Sequence, residues 1–285
     1  MSKIGVVVCG NSGIDYIKHD YDIRVMRSVL LFGEDEYTDF IDIKAEDFYT
    51  MLVDKPELHP STAQTATGVI LEIYEDLKKD GYDEVIVITV SSKLSGTYEG
   101  ARMAAGMIEG LKVTVFDSLT VSFAEATMAL TAAEMIKQGK KVTEIIDKLI
   151  EIREHQGILI SVDTLKYLVR NGRLSGASGF LGSLLKIKPM LHITREGRIE
   201  PLEKIRTRQK AINRIIEVYV NDNHKKNQEV FIVHASAGET VEDVRKILLE
   251  KLPDVKEIKD YPLTPVVGAH AGPNALAIGW VPKLK

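Results

Sequence analysis

Residues 91–101, SSKLSGTYEGA, place three serines, a threonine and Gly96 directly behind the apolar run EVIVITV. That is where a strand hands over to a helix. In an open α/β sheet, loops beyond the carboxyl ends of the strands lead into helix N-termini, whose free N–H groups and positive dipole end suit an anion. Ser92, Ser95 and Thr97 offer hydroxyl donors there, and Gly96 removes a side chain where the backbone would approach a ligand. Helix capping alone is the competing reading, since Ser95 or Thr97 is a natural N-cap. Neither GxGxxG nor GxxxxGK[ST] occurs in the segment, which disfavours a dinucleotide or a P-loop nucleotide.

Other reactive types are sparse. No pair of carboxylates, metal-ligand spacing or Ser-His-Asp order stands out, although such triads assemble in space and not in sequence. His234 and His270 are the histidines an enzyme reading would use as nucleophile or base. The single cysteine, Cys9, excludes an internal disulfide framework and fits a reducing compartment. KIRTRQKAINR (204–214) is a basic stretch without interleaved aromatics, which favours a solvated helix face over nucleic-acid binding.

The chain has 285 residues, 45% apolar and 27% charged, with a formal net charge of −4. These values fit a globular protein of one large or two smaller domains, and they call for neither nucleic acid nor an anionic membrane. The N-terminal apolar run is too short for a signal-peptide core, and no run approaches the ~18 residues of a membrane helix. The sequence therefore reads as a soluble, cytoplasmic protein with at most transient membrane contact.

The elements that must carry these residues alternate in the first half. IGVVVC, EVIVITV and KVTVFDS are strand-like; Thr65–Lys79, 122–138 and 143–155 carry helical spacing and end near Gly81, Gly139 and Gly157. Near-continuous apolar strands between amphipathic helices imply a parallel sheet covered on both faces, a Rossmann-like α/β domain over residues 1–156. GILISVD could close that domain or open the next. From Lys188, KPMLHIT and RIEPLEKI form a hairpin around Arg195-Glu196-Gly197, followed by a helix at 207–221, the strand EVFIVHA, a helix at 240–251 and the strand VKEIKDY. This pattern predicts an α+β domain over 157–285 with a largely antiparallel sheet. A ligand cleft is expected at the junction.

Five segments in order, IVITVSSKLSGTYEGA, VFDSLTVSFA, TLKYLVRNGRLSG, LLKIKPMLHITREGRIEPLEKIRTRQKA and TPVVGAHAGPNALAIGWVPK, resemble the DegV family, which includes the fatty-acid-binding subunits of bacterial fatty acid kinase. The resemblance runs from about residue 4 to the C-terminus. It implies a carrier, not a catalyst, that buries one long acyl chain and holds the carboxylate near the domain junction. A separate ATP-using kinase subunit would be the partner, and no cofactor is implied. The rival enzyme reading is a phosphotransfer enzyme related to dihydroxyacetone kinase.

The resemblance also implies a head-group set. HPSTAQT resembles the family's T-S-Q-P-S loop, giving Thr62, with Ala63 and Thr65 departing from the pattern. The strand-to-helix segment gives Ser95, with Ser92 as its alternative. VRNGRLSG gives Arg173, with Asn171-Gly172 in place of paired glycines, and GAHAGPNA gives His270. Two hydroxyls, an arginine and a histidine can offset the cost of desolvating a carboxylate, which is several kcal/mol. Taken alone, Arg173 would pair at the surface or cap a helix, and His270 would be structural. Asn11 stands where many members carry aspartate, keeping hydrogen-bonding capacity and losing charge. LGSLL, Phe180, Met190 and ALAIGW could line the acyl tunnel, though each residue singly is better read as core.

Overall fold

The computed structural model describes residues 2–176, 187–236 and 238–283. In chain order its elements begin with β1 (Ile4–Cys9), β2 (Ile23–Met26), β3 (Val29–Phe32), β4 (Asp35–Thr38), α1 (Ala45–Asp54), β5 (Ser61–Ala63) and α2 (Thr67–Lys79). They continue with β6 (Glu84–Thr89), α3 (Thr97–Ala105), β7 (Lys112–Asp117), α4 (Phe123–Lys137), α5 (Val142–His155), β8 (Gly157–Ser161) and α6 (Lys166–Arg170). The last are β9 (Met190–Ile193), β10 (Ile199–Glu203), α7 (Arg208–Val218), β11 (Gln228–His234), α8 (Gly238–Lys251), β12 (Lys259–Pro262), α9 (Pro265–Ala271) and β13 (Leu276–Pro282).

Strands β2, β1, β6 and β7 form, in that order, a parallel four-stranded sheet, with Val6 opposite Ile86 and Ile86 opposite Thr114. Consecutive residues Val6–Val8 and Val85–Ile88 are all buried, so both faces are covered, as a parallel sheet with crossover helices requires. The six-stranded sheet runs β10-β9-β8-β13-β11-β12. Every pairing in it is antiparallel except β11–β12, which α8 connects as a crossover. A Rossmann-like parallel layer beside a largely antiparallel α+β layer is thus the architecture. GILIS lies inside the six-stranded sheet, between β9 and β13.

Alternation along the central strands of this second sheet sends side chains to two different cores. Ile158, Phe231, Val233, Ala277 and Val281 join the core shared with the parallel sheet; Leu159, Val230, Ile232, Ile278 and Trp280 join a second core under α7 and α8. Between the sheets lies α4, which contacts β1 and β6 on one side and β13 on the other. Its run FAEATMALTAAEMIK keeps it thin with alanines, and nearly every residue to Ala133 is buried. Thr127 and Thr131 donate to the carbonyls of Phe123 and Thr127, one turn back, so their hydroxyls are not stranded. The larger core therefore spans the junction rather than filling either layer separately. Glu125, fully buried against Cys9, is pushed well up by burial, which favours its neutral form.

A third, antiparallel sheet, β4-β3-β5, was not foreshadowed by any strand pattern. Its strand β5 pairs with β3, Thr62 opposite Leu30, and lies against α9.

Candidate functional site

The β6–α3 turn is built by its hydroxyls. Ser91, buried, donates to the Gly197 carbonyl at 2.8 Å and so fixes the tip of the β9–β10 hairpin against the turn. Gly197 is needed twice: its φ is +82°, and a Cβ there would lie 2.1 Å from Ser91 Oγ. The N-cap of α3 is Gly96, not a hydroxyl residue, and it makes no side-chain cap bond. Ser95 instead accepts from the Thr97 amide at 3.3 Å and shares a 2.9 Å hydrogen bond with the Thr97 hydroxyl. The amide of Ser92 donates to Asp117 at 3.1 Å.

Beyond this turn lies a cavity of about 210 Å³. Thr62, Ser95, Arg173 and His270 all line it, although they come from four distant parts of the chain. Ser92 is not in the lining. Thr62 Oγ1 and His270 Nε2 are 2.9 Å apart. Arg173 donates from Nε to the Leu94 carbonyl at 3.0 Å and from Nη1 to the Asn171 carbonyl at 2.7 Å, so one of its five N–H donors holds the turn that presents Ser95 and a second closes its own loop. Burial, with the Arg173 charge adding to it, pushes His270 down to about 4, so its imidazole is neutral near pH 7. The Nδ1 of His270 and the Oδ1 of Asn11, both buried, have no hydrogen-bond partner among the described residues. Val90, Leu94, Val121, Ile199, Val266 and Val267 supply the apolar part of the wall, and Asn11, Ser28, Ala63 and Gln64 complete it.

His270 is placed by its flanking glycines. A Cβ on Gly268 would lie 2.3 Å from the Tyr49 hydroxyl and 2.7 Å from the Phe48 ring, both buried; Tyr49 is itself tied to the Leu263 carbonyl at 3.1 Å. Gly272 ends α9 at φ +77°, with Tyr167 packed on its α-carbon. Gly268→Ala should consequently overpack the α1–α9 contact and destabilise the protein by about 1–3 kcal/mol. Equilibrium denaturation measures this; a variant as stable as the parent would show that α9 shifts freely.

Asn171, legible in the sequence only as a departure from paired glycines, is a positioning residue. Its side-chain amide donates to the carbonyls of Ala269 at 3.0 Å and Pro60 at 3.4 Å, joining the helix that carries His270 to the chain entering β5. The departure from paired glycines therefore has a structural use. Of the tunnel candidates, Met190 and Leu276, Ile278 and Trp280 of ALAIGW belong to the second core, Ala275 and Ala277 to the first. LGSLL and Phe180 lie outside the described residues.

No group of three or more His, Cys, Asp or Glu among the described residues is placed to hold a metal ion, and no helix there is long and apolar enough to cross a membrane. Fold and site together define an α/β protein, built on a parallel and a largely antiparallel sheet with a small third sheet beside them, and a small cavity whose polar wall carries hydroxyl, carboxamide, imidazole and guanidinium groups and whose other wall is aliphatic. The chain belongs to the DegV family: residues 3–283 match the family model described as "Uncharacterised protein, DegV family". A DegV domain-containing protein of Listeria innocua is 35% identical over 280 residues, 98% of each chain. Among solved structures, DegV from Bacillus subtilis, described as a fatty acid binding protein, superposes with a TM-score of 0.89 at 36% identity, covering 99% of this chain and 100% of that one. A DegV family protein from Thermus thermophilus, described by its fatty acid binding, gives 0.86 at 26% identity, covering 98% and 99%.

Proposed function

We propose that this chain binds one long-chain fatty acid and, in the cytoplasm, carries it to a separate ATP-dependent kinase subunit that phosphorylates the carboxylate. The observation that carries the reading is the 2.9 Å contact between Thr62 and a neutral His270 in a cavity also lined by Ser95 and Arg173. If His270 donates from Nε2 to Thr62, the threonine proton is free for the ligand. Nδ1 is then a bare acceptor, the lesser cost for a buried atom without a partner. If Thr97 donates to Ser95 Oγ, the serine proton is free in the same way. Two hydroxyl donors and the Arg173 charge then meet one carboxylate where residues 1–156 and 157–285, read as two units, come together.

A cavity of about 210 Å³ is smaller than the roughly 300–1,000 Å³ of pockets that enclose a drug-sized ligand, so it suits the head group and first methylenes. The aliphatic wall sets the direction of the tail. Each buried methylene contributes ~0.8 kcal/mol, so a sixteen-carbon chain gains on the order of 12 kcal/mol before the costs of association.

Denaturing extraction of the purified protein and mass spectrometry should release a fatty acid. A lipid-free protein that takes up none on incubation sinks the reading, and nucleotide binding by the chain alone would favour the phosphotransfer alternative. For kinase docking, the basic stretch at the start of α7 is the candidate surface. Arg208 is tied to Asp163 at 3.4 Å and Arg214 to Glu203 at 2.8 Å, whereas Arg206 is exposed. Arg206→Glu should thus lower acyl phosphorylation with lipid content unchanged; loss of bound lipid would count against docking.

A further inference from the structure

Gly96 has φ −76° and ψ 2°, a backbone conformation open to residues other than glycine. The space left by its missing side chain is taken by Gln64. A Cβ at that position would lie 2.2 Å from Gln64 Oε1, with Gln64 Cδ at 3.2 Å and Nε2 at 3.4 Å. One turn on, a Cβ at Gly100 would lie 3.5 Å from the same Nε2. The two glycines of SGTYEG thus form a shelf on which the end of the Gln64 side chain rests.

Gln64 follows β5 directly, and strand alternation puts it on the same face as Thr62. Both line the cavity: Thr62 meets His270 on one side, and Gln64 meets the start of α3 on the other. The residue as a whole is exposed, and its carboxamide has no hydrogen-bond partner among the described residues. The oxygen end lies nearest Gly96, at the positive end of α3, which is the favourable sense for a carbonyl dipole. The NH2 end lies along the same shelf, 3.4 Å and 3.5 Å from the Cβ positions of Gly96 and Gly100, so its donors are unpaired in a residue that lines the cavity.

We propose that Gln64 is a further head-group-binding residue, whose Nε2 donates to an anionic oxygen of the ligand, and that Gly96 is the positioning residue that seats it. The proposal rests on the fatty-acid reading. It adds, beside Thr62, a second neutral donor from the β5 segment, at the solvent side of the cavity.

The test uses the delipidated full chain with palmitate and methyl palmitate as probes. Wild-type protein that binds no palmitate overturns the fatty-acid reading and this proposal with it. Given wild-type binding, Gln64→Leu should weaken palmitate about tenfold, the size expected for a lost hydrogen bond to a charged group, and methyl palmitate much less. Gln64→Glu should weaken palmitate increasingly as pH rises from 5 to 8, while methyl palmitate stays nearly constant. A merely structural role for Gln64 would instead lower acid and ester alike. Gly96→Ala should reproduce the Gln64→Leu loss, and the double variant should be no weaker than Gln64→Leu alone, because both remove one contact. Wild-type palmitate affinity in Gln64→Leu, equal losses for acid and ester, or additive losses in the double variant would each overturn the assignment while leaving fatty-acid binding intact.

Discussion

Thr62→Val is expected to lower fatty-acid affinity by about 10- to 100-fold, since hydrogen bonds to charged groups are worth ~1.5–3 kcal/mol. Valine keeps the branched shape and removes the hydroxyl, so the loss reports the hydrogen bond and not the packing. Two costs combine. The carboxylate loses a donor in a site where desolvation costs several kcal/mol, and His270 Nε2, 2.9 Å from the hydroxyl, loses its partner. Ser95→Ala should act in the same direction through the other hydroxyl. The double variant should approach a ~1,000-fold loss if the donors act independently, and fall short of it if Arg173 draws the carboxylate closer. Calorimetric titration of delipidated protein reads the affinity, and thermal melting without ligand shows whether the fold is intact. Wild-type affinity in the double variant would refute the head-group assignment without touching the fold.

The elements around this site differ in how plainly the sequence announces them. Strands β1 and β6 are legible because a parallel strand covered on both faces must be apolar at every position, and IGVVVC and EVIVIT are nearly so. The β9–β10 hairpin is legible through Gly197, whose positive φ the turn requires. The strand expected at VKEIKDY forms only from Lys259, where pairing with Phe231 begins. Before it, Leu252, Val255 and Ile258 are buried at intervals of three, packing into the second core instead of alternating. The sheet β4-β3-β5 has strands of three or four residues, too short for any period to emerge, yet it carries Thr62. Thr62 and His270 are 208 residues apart, and no local pattern reports such a contact. Only the family resemblance set them together in the sequence. Asn171 and Gln64 escaped because their roles depend on backbone carbonyls and on glycine α-carbons, which leave no periodic trace.

Asp39 supplies the largest expected effect on stability. It is buried beside the turn after β1, where a Cβ on Gly10 would be 3.5 Å from its carboxylate, and it faces Thr264 and the Val266 amide at the start of α9. Burial is the main cause that pushes it from 3.8 up to about 7; the Val266 amide, Arg27 and Thr264 oppose the rise, and Asp15 adds to it. Between those values the folded protein holds a proton that the unfolded chain has released. The resulting stabilisation is complete below pH 3.8 and is lost as pH rises to 7, a change of about 4 kcal/mol. His270 runs the other way: its contribution is present above pH 6.5 and declines by about 3 kcal/mol as pH falls to 4. In the wild type the two slopes largely cancel between pH 4 and 6.5.

Asp39→Asn keeps the shape and removes the titration. It should match the wild type near pH 4 and exceed it near pH 8 by up to about 4 kcal/mol, exposing the His270 slope in between. Adding His270→Gln should flatten that slope. Taking differences between variants in urea unfolding from pH 4 to 8 cancels the groups common to all. A wild-type-minus-Asp39→Asn difference that does not change with pH would mean that Asp39 ionises as an ordinary surface carboxylate. Because α9 carries both the turn that Asp39 faces and His270 in the cavity, the same titration acts on the helix that supplies the imidazole of the cavity wall.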